Sequence, residues 1–139
     1  MGAIRMAGSE CEWTLESYYR TPTDEGPVVR SGIESQSIRD LSLCGDPTMH
    51  VLHCPPAGFM LFGIGAGVGI VEWCLNPPNS RSVFAVNHSP IVTGLTSFHY
   101  LWEEMTFEPS DVFPANDVIA IVLHFFEHRA LPENVTWSS

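Results

Sequence analysis

The last 40 residues constrain the fold most, because they contain three elements in a clear order. The aromatic run from Phe98 to Phe107 predicts a strand. Residues 116–128 follow a proline-marked entry, and their apolar positions repeat with helical spacing. Val and Ile in this run would also suit a strand, but its length favours a helix. A turn at Leu131-Pro132 then leads to a short strand that ends on Trp137.

The rest of the chain predicts a second helix and several strands. Ser31 and Glu34 form a capping-box pattern before an amphipathic segment that ends near residue 43. Short apolar runs separated by turn residues then favour antiparallel pairing. We therefore expect an α+β fold, in which a mainly antiparallel sheet is packed by two helices, at about 31–43 and 116–128.

The length of 139 residues and a hydrophobic content of 45% fit one domain with a substantial core. We expect residues 1–10 to be a flexible leader and residues 11–139 to form the domain. The N-terminus has no continuous apolar segment, and the four cysteines form no C-x-x-C pair. Free thiols in the cytoplasm are the simplest interpretation.

The run of alternating glycines from Gly63 to Gly69 resembles a phosphate loop but lacks its pattern. The third small residue of a dinucleotide fingerprint is replaced by Val68, and no Gly-Lys-Ser/Thr follows. Alternation would put every glycine on one face of a strand or hairpin, where a tight turn or a close backbone approach is needed. The apolar stretch at 57–71 is shorter than the ~20 residues that a membrane span needs, so we expect no membrane partner.

The charge is strongly acidic, with 6 Lys and Arg against 16 Asp and Glu and a formal net charge of −10. Such a chain will not bind nucleic acid by neutralising phosphates. It would attract a basic partner, although acidity can also serve only solubility.

Histidine and cysteine patterns give little support for catalysis or metal binding. His50 and His53 would point to opposite faces of a strand, and the His124–His128 pair lacks the glutamate of H-E-x-x-H. We expect no cofactor, no metal site and no enzyme activity. The alternative is a small ligand-binding domain or enzyme with an apolar pocket. That pocket would be lined by Phe59, Phe62, Trp73 and Phe84, with His53 or His99 as acid or base.

An acidic and aromatic segment follows residue 100. Its members are Trp102, Glu103, Glu104, Phe107, Glu108, Asp111 and Phe113. The segment suits either a solvated strand edge or an interface in which charges surround aromatic anchors.

Residues from about Phe98 to Trp137 resemble the Imm1 family of bacterial immunity proteins. Pro109 to Pro114 lie where that family has its helix entry, and Leu131 to Trp137 are similar to its terminal R-P-x-x-apolar-x-W motif. Leu131 stands in place of the usual Arg of that motif, and His128-Arg129 replace the usual Thr-Gly.

The resemblance implies a non-catalytic protein that binds a cognate toxin, often a nucleic-acid deaminase, encoded beside it. An acidic protein would then occlude the basic substrate cleft of that toxin. The expected charged contacts are Glu103, Glu104, Glu108 and Asp111, with Trp102 and Trp73 as anchors. Phe125, Phe126 and Trp137 are expected to be core residues.

Overall fold

The computed structural model describes residues 12–20, 26–43, 45–54, 58–74 and 82–138. The expected leader at 1–10 lies outside this range, so the leader and the domain boundary stay predictions.

The described residues form ten strands and two α-helices. The strands are β1 (Thr14–Ser17), β2 (Val28–Ser31), β3 (Thr48–Cys54), β4 (Gly58–Gly65), β5 (Val68–Cys74), β6 (Ser82–Val86), β7 (Thr96–Tyr100), β8 (Glu103–Phe107), β9 (Phe113–Pro114) and β10 (Thr136–Ser138). The helices are α1 (Ser35–Arg39), which continues into a 3-10 turn at Asp40–Leu43, and α2 (Ala115–His128).

The first helix is shorter than the predicted 31–43. Ser31 ends β2, where it pairs with Thr14, and Gly32 then adopts a φ of 65°. The helix therefore begins later, with Glu34 as its N-cap in a reciprocal pairing with Ser37. The capping-box pattern was placed three residues too early, because Ser31 is used by the sheet.

The second helix confirms the prediction for 116–128 and begins one residue earlier. Its buried side includes Val118, Val122 and Phe125, each 1% exposed or less. Arg129 ends the helix in the left-handed conformation, with φ 54°, and its N–H donates to the carbonyl of Phe125 at 2.7 Å.

The sheet is mainly antiparallel, as predicted, and has the order β10-β6-β5-β4-β3-β1-β2. The predicted single strand from Phe98 to Phe107 is instead the hairpin β7–β8, divided by a turn at Leu101 and Trp102. One parallel bridge, between Thr48 and His99, attaches the hairpin to β3.

Two apolar clusters lie on opposite sides of this sheet. The larger one joins Leu52, Phe62 and Val71 to α2 on what we call the helix face. The smaller one joins Met49 and Ile70 to residues of the β7–β8 hairpin on the other side, which we call the hairpin face. Successive strand residues point to opposite faces, so the hairpin, the sheet and α2 form three layers.

The glycine-rich run forms the tight β4–β5 hairpin, and its glycines serve both faces. Gly65 pairs with Val68 across a two-residue turn, in which Ala66 and Gly67 have φ values of 54° and 83°. A Cβ on Gly63 would lie 2.8 Å from Phe98, on the hairpin face, whereas one on Gly69 would lie 2.9 Å from Val118, on the helix face. The close approach was predicted correctly, but the placement of every glycine on one face was wrong.

Candidate functional site

The tip of the β7–β8 hairpin is an exposed aromatic and acidic feature held in a defined place. Trp102 is 57% exposed there and is followed by the exposed Glu103. Leu101 adopts the left-handed conformation, with φ 60°, and its N–H donates to the carbonyl of Tyr18 at 3.0 Å. A non-glycine residue in this conformation is unfavourable by itself, and the bond to Tyr18 helps to hold it. Trp102 is therefore presented to solvent from a fixed turn.

The four predicted acidic contacts extend along the whole of β8 and do not converge. Glu103 opposes Tyr100 and Glu104 opposes His99, so the two adjacent carboxylates lie on different sides of the hairpin. Glu108 is about 17 Å from Glu103 along the strand.

Glu108 and Asp111 also have a local structural role. Asp111 accepts a hydrogen bond from the backbone N–H of Glu108 at 3.3 Å, and the Glu108 side chain accepts one in return from the backbone of the same turn. These two carboxylates therefore cap the 3-10 turn Pro109–Asp111, which leads from β8 towards α2.

Trp73, the other predicted anchor, lies away from the hairpin. It is half-buried and packs against the larger cluster on the helix face. Its indole N–H is buried without a hydrogen-bond partner among the described residues. The sheet thus separates Trp73 from Trp102.

Beyond the hairpin tip, the hairpin face carries an uncovered depression of about 480 Å³, which we call the trough. It is lined by Glu16, Tyr18, Val51, His53, Phe59, Leu61 and Tyr100. The strand register explains its floor: Val51 pairs with Leu61 at the centre. Glu16 flanks Val51 on one side, and Glu72 flanks Leu61 on the other. The Cα atoms of Glu16 and Glu72 lie about 14 Å apart, because three strand spacings separate their backbones.

Glu16 is fixed at the edge of the trough by aromatic neighbours. The Tyr18 hydroxyl donates a hydrogen bond to Glu16 Oε1 at 2.6 Å. The ring of Tyr18 stacks on that of Tyr100, with centroids 4.3 Å apart. Burial and the Glu16 carboxylate raise the pKa of Tyr18 well above its usual range, so the hydroxyl stays a donor. Tyr100 belongs to the hairpin, and the trough is therefore continuous with the exposed tip.

The residues of the alternative apolar pocket do not share one cavity. Phe62 and Trp73 face the helix, whereas Phe59 and His53 line the trough on the opposite side. The His53 ring packs edge-on against Phe59, with centroids 5.8 Å apart.

Cysteine and histidine also do not combine into a nucleophile pair on this face. His53 and Cys74 flank Phe59 on opposite sides, about 10 Å apart across two strand spacings. Burial and the neighbouring Glu72 raise the pKa of the Cys74 thiol to about 11. A thiol with that pKa is a poor nucleophile near neutral pH.

A polar pair is buried on the helix face. His50 Nδ1 and Ser17 Oγ lie 2.8 Å apart, and the imidazole stacks on Phe62 with ring centroids 5.3 Å apart. Both residues are 1% exposed or less, and His50 Nε2 has no partner among the described residues. This pair has no access to a substrate and is a structural feature of the core.

The described residues were also compared with the arrangements that metal binding and membrane spanning require, and with the expectation of free thiols. Within 12–20, 26–43, 45–54, 58–74 and 82–138, no group of three or more His, Cys, Asp or Glu is placed to hold a metal ion. No helix in those ranges is both long and apolar enough to cross a membrane. Cys74 is a free thiol, but Cys54 is disulfide-bonded, so the expectation of free thiols was wrong for Cys54.

The sequence profile described as immunity protein Imm1 matches residues 23–139, which is most of the chain. The chain belongs to the Imm1 family. Membership implies an immunity protein for a bacterial toxin. No curated protein matches the chain.

Most of the residues that carry the resemblance to Imm1 lie in the core or pack against it. Phe125 is 1% exposed in the larger cluster, and Phe126, Leu131 and Trp137 pack against that cluster. Trp137 also pairs with Ala85 across β10 and β6. The Imm1 signature therefore marks the packing of α2 and β10 on the sheet, while the exposed features lie on the opposite face.

Sequence reasoning missed the trough in this Imm1 protein. Alternation along β1 shows that Glu16 and Tyr18 share a face, and the same signal exists for Val51 and His53 in β3. These residues come together only through the order and register of β1, β3, β4 and β5. The alternation of side chains along a single strand gives no information on either.

Proposed function

We propose that this Imm1 protein neutralises a cognate toxin by stoichiometric binding and has no catalytic activity of its own. The observation that carries the proposal is the exposed tip of the β7–β8 hairpin, where Trp102 lies next to Glu103 on a fixed turn. Large rigid aromatic side chains beside charges are common centres of tight interfaces. The proposed contacts are Glu103, Glu104, Glu108 and Asp111 with Trp102, as the sequence predicted. Trp73 is the weakest of the predicted anchors, because it lies on the helix face.

The charge of the chain supports a basic partner. The net charge of −10 would accelerate association with a positively charged surface and would repel nucleic acid. Four of the carboxylates lie on or next to β8, and three of these, Glu103, Glu104 and Glu108, are exposed.

A nucleic-acid deaminase toxin is the proposed partner, and occlusion of its substrate cleft is the proposed mechanism. An enzyme that acts on nucleic acid needs an electropositive cleft to hold phosphates. The exposed carboxylates of β8 and the exposed Trp102 at its start could cover the opening of such a cleft. Occupation of the cleft would exclude substrate without any chemical step.

Reversal of charge on the hairpin tests this function. The double variant Glu103→Lys and Glu104→Lys should bind the cognate toxin domain at least ~10-fold more slowly, with an unchanged circular dichroism spectrum. A control with the same change in net charge reverses two exposed carboxylates elsewhere, namely Glu127 and Glu133. Equal association rates for the two double variants would remove the hairpin tip from the interface and leave only overall charge.

A small-molecule binding function is a second candidate, because the trough of about 480 Å³ is large enough for a metabolite. Thermal unfolding with a metabolite panel discriminates the two functions. A ligand of the trough would raise the melting temperature, whereas a protein that only binds a toxin would not respond.

We assign the protein to the cytoplasm as part of the same proposal, because a toxin that modifies nucleic acid must be neutralised there. The disulfide at Cys54 is the observation against this location, because disulfides are rare in reducing compartments. Alkylation of the protein during cell lysis, followed by mass spectrometry, tests it. A Cys54 that is still disulfide-bonded in the trapped protein would contradict a cytoplasmic location.

A further inference from the structure

The trough combines three features that suit one particular side chain. Its floor is aliphatic, formed by Val51 and Leu61. One wall is the stacked pair of Tyr18 and Tyr100, and the Glu16 carboxylate lies at the edge. An arginine has an aliphatic stem, a planar cation that stacks on aromatic rings, and a fork of donors that matches a carboxylate.

We infer that the trough is the receiving pocket for an arginine side chain of the toxin. The arginine stem would lie along Val51 and Leu61, and its guanidinium would pair with Glu16 beside the ring of Tyr18. This inference rests on the proposed function, since it names the chemistry by which the toxin is recognised. It also adds a second contact region, on the floor of the sheet next to the hairpin.

The position of Glu16 favours a charged ligand over an apolar one. The Tyr18 hydroxyl occupies Oε1, at 2.6 Å, and orients the carboxylate at the edge of the cavity. Oε2 can still accept hydrogen bonds, and a carboxylate held in one orientation loses less entropy when it binds. An apolar ligand would cover this carboxylate without pairing it, which is unfavourable.

The neighbouring residues give the trough a consistent charge. The row of paired residues through its floor runs from Val29 through Glu16, Val51 and Leu61 to Glu72. The next row contains Thr14, His53, Phe59 and Cys74. Neither row contains an arginine or a lysine. At the hairpin tip, Glu103 pairs in register with Tyr100, which is part of the trough wall. A cation entering the trough would therefore meet the Glu16 carboxylate and no arginine or lysine from these rows.

An arginine bound to Glu16 would affect the kinetics of binding differently from the overall negative charge of the chain. Long-range attraction depends on the net charge of the chain and raises the association rate. A paired and partly desolvated arginine instead slows dissociation, because its release leaves two charges without partners. The two effects can be separated by variants with the same net charge.

The test compares Glu16→Gln with Glu127→Gln in binding to the toxin domain encoded beside this gene. Both variants lose one negative charge, but Glu127 is an exposed residue of α2, on the opposite side of the sheet. Glu16→Gln should raise Kd at least ~10-fold, mainly through faster dissociation, while Glu127→Gln should change Kd less than ~2-fold. Equal Kd values for the two variants would overturn the arginine pocket and leave the proposed function intact.

Tyr18→Phe is a second variant. It keeps the ring and removes the bond that orients Glu16, so it should give a smaller loss in the same direction.

A titration with a small probe tests the pocket without the toxin. N-acetyl-arginine amide, added at millimolar concentrations, should shift the backbone NMR signals of β1, β3 and β4 next to the trough. N-acetyl-norleucine amide should not, and Glu16→Gln should abolish the response. Absence of shifts at the trough, or equal shifts with both probes, would contradict the inference. If the wild-type chain fails to bind the toxin domain, the proposed function fails, and this titration alone decides whether the trough is an arginine site.

Discussion

Burial of His50 makes the stability of the fold depend on pH in a way that can be calculated. The imidazole is fully buried, stacks on Phe62 and lies 2.8 Å from Ser17 Oγ. Burial first, and then the charge of Arg30, lower its pKa from 6.5 to about 3. Between these values the unfolded chain binds a proton at this histidine and the folded chain does not. The contribution of His50 to stability is therefore complete above pH 6.5 and is lost as the pH falls towards 3.

At pH 5 the expected loss is about 2 kcal/mol, because each pH unit below 6.5 contributes about 1.4 kcal/mol. Urea unfolding followed by tryptophan fluorescence at pH 7.5 and pH 5 measures the change in free energy of unfolding. The many carboxylates also contribute to this change, so the informative quantity is the difference between the wild-type chain and His50→Asn. The wild-type chain should lose about 2 kcal/mol more than the variant.

Leu52→Val is the matched control for weakened packing. Leu52 lies in the same strand, on the same face, and is also fully buried. This variant should lose about 1 kcal/mol at both pH values but keep the pH dependence of the wild-type chain. If the wild-type chain and His50→Asn lose the same free energy between pH 7.5 and pH 5, the argument from burial is wrong.

Two further predictions concern the β4–β5 hairpin and its neighbours. Gly69→Ala should lower the free energy of unfolding by about 3 kcal/mol, because its Cβ would lie close to the carbonyl oxygen of Gly63 and 2.9 Å from Val118. The Cβ of Gly67→Ala would meet nothing within 4 Å. This variant should lower the free energy of unfolding by only about 1 kcal/mol, because its φ of 83° is unfavourable for alanine. Equal losses for the two variants in urea unfolding would refute the steric explanation. Cys74, with its pKa raised to about 11, should react with iodoacetamide at pH 8 more than ~10-fold more slowly in the folded than in the urea-unfolded protein. Equal rates would show that the thiol is not shielded.

The sequence predicted those elements whose pattern is complete within one segment. Helix α2 was predicted within one residue, because its apolar positions repeat over four turns and an apolar helix must be buried. Strand β2 was missed because all four of its residues are exposed and show no alternation. Its pairing with β1 also took Ser31 out of the predicted helix.

The sequence could group only residues that are close together in the chain, and their role in toxin binding stays a prediction. Trp102 and Glu103 adjoin each other on the exposed hairpin tip. The trough depends on Glu16, Val51 and Leu61 meeting across three strands, and no local signal encodes that register. The side of the sheet on which Trp73 lies could not be predicted either. Alternation along a strand shows which residues share a face, but not which face of the sheet packs against a helix.

We propose that this chain captures a basic toxin through its acidic surface. The most direct test is calorimetry of the purified chain with its cognate toxin domain, at low and at high salt. We expect a 1:1 complex with a Kd of nanomolar order or tighter, and a weaker complex at high salt because salt screens the attraction between the charged surfaces. Tight binding that does not respond to salt would contradict the electrostatic mechanism. Absence of binding at both salt concentrations would contradict the proposed function itself.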